Sequence, residues 1–344
     1  MDIKRGIAII LSVVLTIGCI GCGTVTETNK EPEDGERAKV QIGLSIDSFL
    51  IERWQRERDL FVSKAEELGA EVNVQNANGD VNEQIKQIDY FIDKGVDVIV
   101  VVAIDDIALK DVITKAKKAG TKVVAYDRML RDTGADLYIT FDNEKVGELM
   151  GQYIVKCIGK SGTVIQIKGS PTDNNVAMVQ SGFEKALYNT DIKIDYAKYS
   201  DGWLAENGFN YTNEYLSTGK IPDAIMCGND NLAAQAIIAL NERRLGGRVC
   251  VVGQDADLEA CQRIVEGTQY MTVFKPVEML AQNAAQMAVD MANGVPLNIK
   301  DTINDGKYDI PYVGFEPVAV TKENMDEIIT GKYHQRNEIY LNVK

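Results

Sequence analysis

Residues 96–128 read VDVIVVVAIDDIALKDVITKAKKAGTKVVAYDR, and this stretch decides the fold. Val96 to Ala103 is an almost continuous apolar run of strand length, as expected when helices cover both faces of a parallel sheet. A helix over 106–119 follows and stops at Gly120, where a glycine C-cap belongs. Lys122 to Tyr126 is a strand again, and Asp127-Arg128 stand just beyond it. Repeated units of this kind imply right-handed crossovers and parallel sheets.

The same alternation extends in both directions. Before it come a strand at Val40–Ile46, a helix over 51–68, a strand at Glu71–Gln75 and a helix over 81–94 with Ile85, Ile88, Phe91 and Ile92 on one face. After it come the strand Leu137–Phe141 and, past Asn143, strands near 163–168, 193–199, 223–228, 248–253 and 269–274. Helices near 144–157, 175–188, 204–218, 230–243, 257–266 and 276–292 separate and follow them. A Gly/Pro-broken segment, 303–318, and a short helix near 322–330 complete the chain. About a dozen strands are too many for one tidy open sheet. The pattern predicts an α/β protein of two doubly wound parallel-sheet domains with a cleft between them.

Composition narrows the function. A net charge of −14 over 344 residues argues against nucleic acid, whose binding depends on cationic contacts to phosphate. Lys4-Arg5 precede an uncharged run, Gly6 to Gly23, whose apolar part is shorter than the roughly 20 residues of a membrane span. Residues 1–22 are therefore read as an export signal, and its end resembles a bacterial lipoprotein processing site. Cys22, or Cys19, is the expected lipidated residue, and 23–38 a polar tether to the membrane. Cys157, Cys227, Cys250 and Cys261 show no CxxC spacing and read as buried free thiols rather than as a disulfide. His334 is the only histidine, which excludes a histidine triad or a multi-histidine metal site. No cofactor and no catalytic residue are expected.

Polar and aromatic residues recur just after the apolar strands. Arg53-Trp54, Asp127-Arg128, Asp173-Asn174-Asn175, Trp203, Asn229-Asp230, Asp255 and Lys275 all occupy such positions. In open α/β sheets, ligands bind outside the carboxyl ends of the strands. A carboxylate accepts from a hydroxyl while a guanidinium donates in a fixed fork, so Asp127-Arg128 suits a vicinal diol. Trp54 and Trp203, the chain's two tryptophans, offer flat faces for the C–H side of a sugar ring. For each residue a plainer role exists: an N-cap for Asp173 or Asn175, a core for either indole. Together they describe a pocket for a small neutral polyol.

Seven segments carry a resemblance to the type I periplasmic sugar-binding proteins that serve ABC transporters, in their xylose-type branch. They are Ile51-Glu52-Arg53-Trp54-Gln55, Ala125–Met129, Phe141–Leu149, Gly169–Asn175, Asp201-Gly202-Trp203-Leu204, Gly253–Leu258 and Phe274-Lys275-Pro276. The resemblance covers nearly everything from Lys39 onward and departs from the pattern at Ser48-Phe49 and Gly228. It implies D-xylose held between two lobes, 39–142 plus 277–305 and 143–274 plus 306–338, joined by three hinge strands. Hydrogen bonds are then expected from Arg53, Asp127, Arg128, Asp173, Asn175, Asn229, Asp255 and Lys275. Trp54 and Trp203 would cover the two faces of the ring, with Asn143 a secondary contact.

Three other functions compete. A sugar-responsive repressor would need a DNA-binding helix-turn-helix where the export signal stands. A pentose-acting enzyme using Asp255 or Asp173 lacks an evident acid/base pair. The same sensor could instead dock on the extracellular domain of a membrane sensor kinase or chemoreceptor, in place of a permease.

Overall fold

The computed structural model describes residues 39–343, so the export signal, the tether and the candidate lipidation sites Cys19 and Cys22 lie outside the described residues. The first lobe is built from β1 (Gln41–Ile46), α1 (Glu52–Glu67), β2 (Glu71–Asn76), α2 (Val81–Lys94), β3 (Val98–Val101), α3 (Lys110–Lys118), β4 (Lys122–Tyr126) and β5 (Leu137–Phe141). The second contains α4 (Asn143–Ile158), β6 (Ser161–Lys168), α5 (Asn174–Leu187), β7 (Asp191–Tyr199), α6 (Glu206–Leu216), β8 (Ala224–Cys227), α7 (Asp230–Glu242), β9 (Cys250–Gln254), α8 (Leu258–Glu266) and β10 (Met271–Phe274). The chain then returns to the first lobe with α9 (Val277–Ala292), β11 (Thr302–Asn304) and β12 (Asp309–Phe315). It ends on the second with β13 (Val318–Val320), α10 (Met325–Ile328) and α11 (Arg336–Ile339).

Among the described residues the strands form two sheets, β11-β12-β5-β4-β3-β1-β2 and β13-β10-β9-β8-β6-β7. Both contain the same five-strand parallel order, in which the first strand lies between the second and the third. That order places a topological switch point at β1/β3 in one lobe and at β6/β8 in the other, where ligands bind in such sheets. The apolar run Val96–Ala103 is covered by helices on both faces, as its pattern demands. Val98, Val100 and Val102 pack into one core with α1 and α9. Ile99, Val101 and Ala103 pack into the opposite one, against residues of α2 and α3. The second sheet is covered on both faces in the same way.

Three sequence expectations need correction. First, the lobe boundary expected after residue 305 falls later. Tyr312 pairs with Tyr138 and Phe315 with Phe141 in parallel register, so 309–315 complete the first sheet and the last crossing is at 316–317. Gly306, Pro311 and Gly314 had broken the strand pattern there. Second, α3 starts at Lys110 rather than at 106, because the Asp105 carboxylate accepts from the Ile107 and Ala108 amides (2.9 and 2.8 Å) and holds a separate turn. Third, Cys157 and Cys250 form a disulfide, with Cα atoms 6.5 Å apart. It ties the last turn of α4 to the start of β9, a link between distant chain segments that no local spacing reveals. Cys227 and Cys261 are the buried free thiols, and burial pushes both above the usual thiol range.

Helices α4 and α5 present Asn143 and Asp173–Asn175 at their N-termini, and their contact is unusually close. A Cβ on Gly182 would lie 1.8 Å from the Glu144 carbonyl oxygen, and one on Gly147 1.9 Å from that of Val179. Backbone cannot yield as a flexible side chain can. Gly182→Ala is expected to destabilise the protein by about 1–3 kcal/mol through overpacking, and to displace the start of α5 with its polar residues. A thermal midpoint equal to that of the native protein would refute this packing.

Candidate functional site

All eleven predicted contact residues line one cavity at the facing carboxyl ends of the two sheets. Arg53 and Trp54 lie in the first turn of α1, and Asp127-Arg128 follow β4. Across the cleft, Asp173 caps α5, its Oδ1 accepting the Asn175 amide at 2.9 Å. Asn229 caps α7 in the same manner, accepting from Leu232 at 2.9 Å. Asp255 follows β9, Lys275 sits at the second crossing, and Asn143 opens α4 just after the first. Trp203 ends a short 3-10 turn after β7 and lies against Gly169, where any Cβ would meet its ring at 2.1 Å.

Charge pairing organises the cavity. The Arg53 guanidinium donates to Glu57 through Nε (2.5 Å), to Asp127 through Nη2 (2.5 Å) and to Asp255 through Nη1 (3.4 Å). Arg128 donates to Asp47 (2.7 Å), to the Ala103 carbonyl (2.9 Å) and to Asp173 (2.9 Å). Lys275 reaches Asp255 at 3.1 Å. Arg53 with Asp255 and Arg128 with Asp173 join the two lobes, so the cleft is closed. The Arg53 guanidinium also stacks 4.2 Å from the Trp54 ring centre, which fixes that indole's plane.

Three cavity residues, Asp127 (φ 61°), Trp203 (φ 58°) and Asp255 (φ 100°), hold backbone conformations that L-residues rarely adopt. Such strain is of order 1–3 kcal/mol each and persists where surrounding bonds overdetermine it. Asp127 illustrates the overdetermination. Its amide donates to Ile139 (2.8 Å), and its carbonyl accepts from Thr140 (2.7 Å), Asn175 (3.0 Å) and Tyr138 (3.2 Å).

Asn175 lines the cavity, but its amide is already engaged. It donates to the Asp127 carbonyl and carboxylate (3.0 and 3.2 Å) and accepts from Tyr138 (3.0 Å), so it holds Asp127 across the cleft. Four buried polar atoms in the cavity wall have no protein partner: the indole N–H groups of Trp54 and Trp203, Asn229 Nδ2 and Gln254 Oε1. Of these, the free amide ends of Asn229 and Gln254 are the ones a polar ligand would satisfy; an indole N–H lies in its ring plane, edge-on to anything stacked on the ring's face.

Sequence reasoning missed Gln254, Lys168, Asp47 and Glu57. Gln254 and Lys168 line the cavity; Asp47 and Glu57 stand behind it and hold the two arginines. Only Glu57 left a trace, the i,i+4 charge spacing to Arg53 on one helix. Its second oxygen accepts from the buried Tyr126 hydroxyl.

Around three cations (Arg53, Arg128, Lys275) stand five carboxylates (Asp47, Glu57, Asp127, Asp173, Asp255). Burial works to raise the Asp127 carboxyl, but Arg53 and Lys275 outweigh it and hold it below the usual range. Burial raises Asp173 against the pull of Arg128. Glu57 is pushed by burial to about 7 despite Arg53, with the Asp127 charge adding to the rise. Cations and carboxylates that answer each other leave strong donors and acceptors without a free ion to neutralise. Such a wall suits a neutral polyhydroxyl ligand.

The periplasmic binding protein domain family matches residues 42–296. The D-xylose-binding periplasmic protein of Haemophilus influenzae is 40% identical over 337 residues, 96% of this chain and 99% of that protein. The protein of the same name from Escherichia coli K12 is 42% identical over 308 residues, 88% and 93% of the two chains. An ABC transporter solute binding protein from Clostridium phytofermentans, solved with bound beta-D-glucose, superposes with a TM-score of 0.80 at 26% identity, covering 87% of this chain and 99% of that one.

The Glu57 carboxyl sets a pH dependence of stability. Folded, it keeps its proton up to about 7; unfolded, it releases it near 4.5. Between those values the folded state binds more protons, so stability falls as pH rises through the window. Asp230, buried in the second lobe and likewise pushed by burial to about 7, acts in the same direction. The thermal midpoint is expected to drop between about pH 5 and 7.5, and Glu57→Gln to flatten that slope. An equal slope in both proteins would overturn the assignment of the proton to Glu57.

Proposed function

The chain belongs to the periplasmic binding protein family, and from that premise we propose that it is an extracytoplasmic receptor for D-xylose. It closes on the sugar and presents it to the permease of an ABC transporter. The carrying observation is that both tryptophans border one cavity whose wall also holds paired charges and the unpartnered amide ends of Asn229 and Gln254. Indoles take the C–H faces of a ring, and the polar groups take its hydroxyl edge. The relatives named for D-xylose binding, at 40 and 42% identity, favour xylose among the sugars that such a cavity could hold. The role is binding and delivery, so no chemical step is asked of Asp173 or Asp255. Export by residues 1–22 and a lipid on Cys22 or Cys19 would hold the receptor at the outer face of the membrane.

Both tryptophans lie at the cavity, so ligand-driven closure is expected to change intrinsic fluorescence. Titration with D-xylose, D-ribose, L-arabinose and D-glucose should give tightest binding for xylose. Arg128→Ala leaves Asp173 and Asp47 buried without their cation, a loss of about 3–5 kcal/mol for a broken buried pair, and is expected to abolish measurable xylose binding. Near-native affinity in that variant would remove Arg128 from the site, and no binding of any of the four sugars by the native protein would sink the receptor reading.

A further inference from the structure

We propose that Gln254 is a specificity residue that, with Asn229, reads one sugar hydroxyl in both senses, Asn229 donating to its oxygen and Gln254 accepting its proton. The inference rests on the receptor reading and adds to it a residue outside the expected contact set.

The orientation of each amide is fixed by its anchor. Asn229 Oδ1 accepts from the Leu232 backbone N–H at 2.9 Å. Only the oxygen end of a side-chain amide can meet an N–H, so the end left over is Nδ2, a donor. Gln254 is anchored the opposite way. Its Nε2 donates to the Gly228 carbonyl, which only the nitrogen end can meet, so the end left over is Oε1, an acceptor. Both free ends are buried without a partner, and both residues line the cavity. The anchors are consecutive, Gly228 and Asn229, at the end of β8, and Gln254 ends the neighbouring strand β9.

A donor and an acceptor held in one wall select for a group that both accepts and donates. A hydroxyl does; an ether oxygen only accepts and an ammonium only donates. The charged members of the cavity differ, because they already answer one another across the cleft. Loss of one hydroxyl leaves those groups partly paired but leaves Gln254 and Asn229 with nothing. Sites built to hydrogen-bond a hydroxyl reject analogues that lack it far more strongly than apolar pockets reject a missing methylene.

The test is fluorescence titration with D-xylose and its monodeoxy and mono-O-methyl derivatives at each ring position. It compares the native protein, Gln254→Met and Asn229→Asp; the last keeps the oxygen that caps α7 and replaces the donor with an acceptor. At one ring position the native protein should lose about tenfold or more with both the deoxy and the methyl derivative. In Gln254→Met the penalty at that position should shrink to about threefold or less while the others persist. Asn229→Asp should disturb that same position. Should Gln254→Met fail to fold, Gln254→Ala takes its place. Native xylose affinity and an unchanged derivative profile in the Gln254 variant would overturn the inference and leave the receptor reading intact. Variants that alter different positions would do the same. A native protein that binds no pentose would overturn both.

Discussion

Arg53 is withdrawn from water at the centre of the molecule, 2% exposed, and its charge has to be answered by protein. The answer comes from three directions: Glu57 one helical turn on, Asp127 from the end of β4, and Asp255 from the opposite lobe. Each partner brings its own dependants. Tyr126 holds Glu57, Asn175 holds Asp127, and Lys275 pairs with Asp255. Carboxylates brought in to neutralise one guanidinium thus fix the positions of β4, the start of α5 and the second crossing. The two lobes meet where they do because a buried cation on one side requires an anion from the other.

The same requirement explains why strained backbone is tolerated at Asp127 and Asp255. Both aspartates must turn their carboxylates from a strand end into the cleft, and positive φ achieves the turn in one residue. The Asp127 amide and carbonyl make four hydrogen bonds between them, so the conformation is set by its surroundings rather than by its own preference. Burial raises the Glu57 carboxyl to about 7, and that residue lies behind the cavity wall rather than in it.

Most of this architecture was legible in the sequence, and the reasons differ from residue to residue. Val96 to Ala103 declared a strand covered on both faces because parallel sheets suppress alternation. The strand-end positions of Arg53, Asp127, Asp173, Asn229 and Asp255 declared a cleft because the switch-point geometry follows from topology. What stayed hidden depends on tertiary contact. The Cys157–Cys250 bridge joins segments 93 residues apart, and β12 reads as broken because Pro311 and Gly314 interrupt its apolar pattern, although β11 and β5 pair with it on both sides. Glu57 looks like any charge on an amphipathic helix until the cavity behind Arg53 is seen. Gln254 sits beside a conspicuous aspartate, and nothing in its spacing tells which end of its amide is free.

The unpartnered atoms of the closed cleft give the receptor its switch. A buried donor or acceptor left unsatisfied costs roughly 1–3 kcal/mol, and four of them border this cavity. Closure without a ligand also removes water from the faces of two indoles without supplying a ring in exchange. Against these costs stand the cross-cleft pairs of Arg53 with Asp255 and Arg128 with Asp173, whose members are well hydrated when the lobes separate. Desolvation of such ions offsets most of their mutual attraction, so the empty closed state has little to favour it. A polyol that fills the orphaned positions changes that balance without altering any protein contact. A ligand that binds the closed form more tightly than the open one shifts the population towards closure. A ligand missing one hydroxyl restores part of the cost, so selectivity and closure draw on the same free amide ends of Asn229 and Gln254.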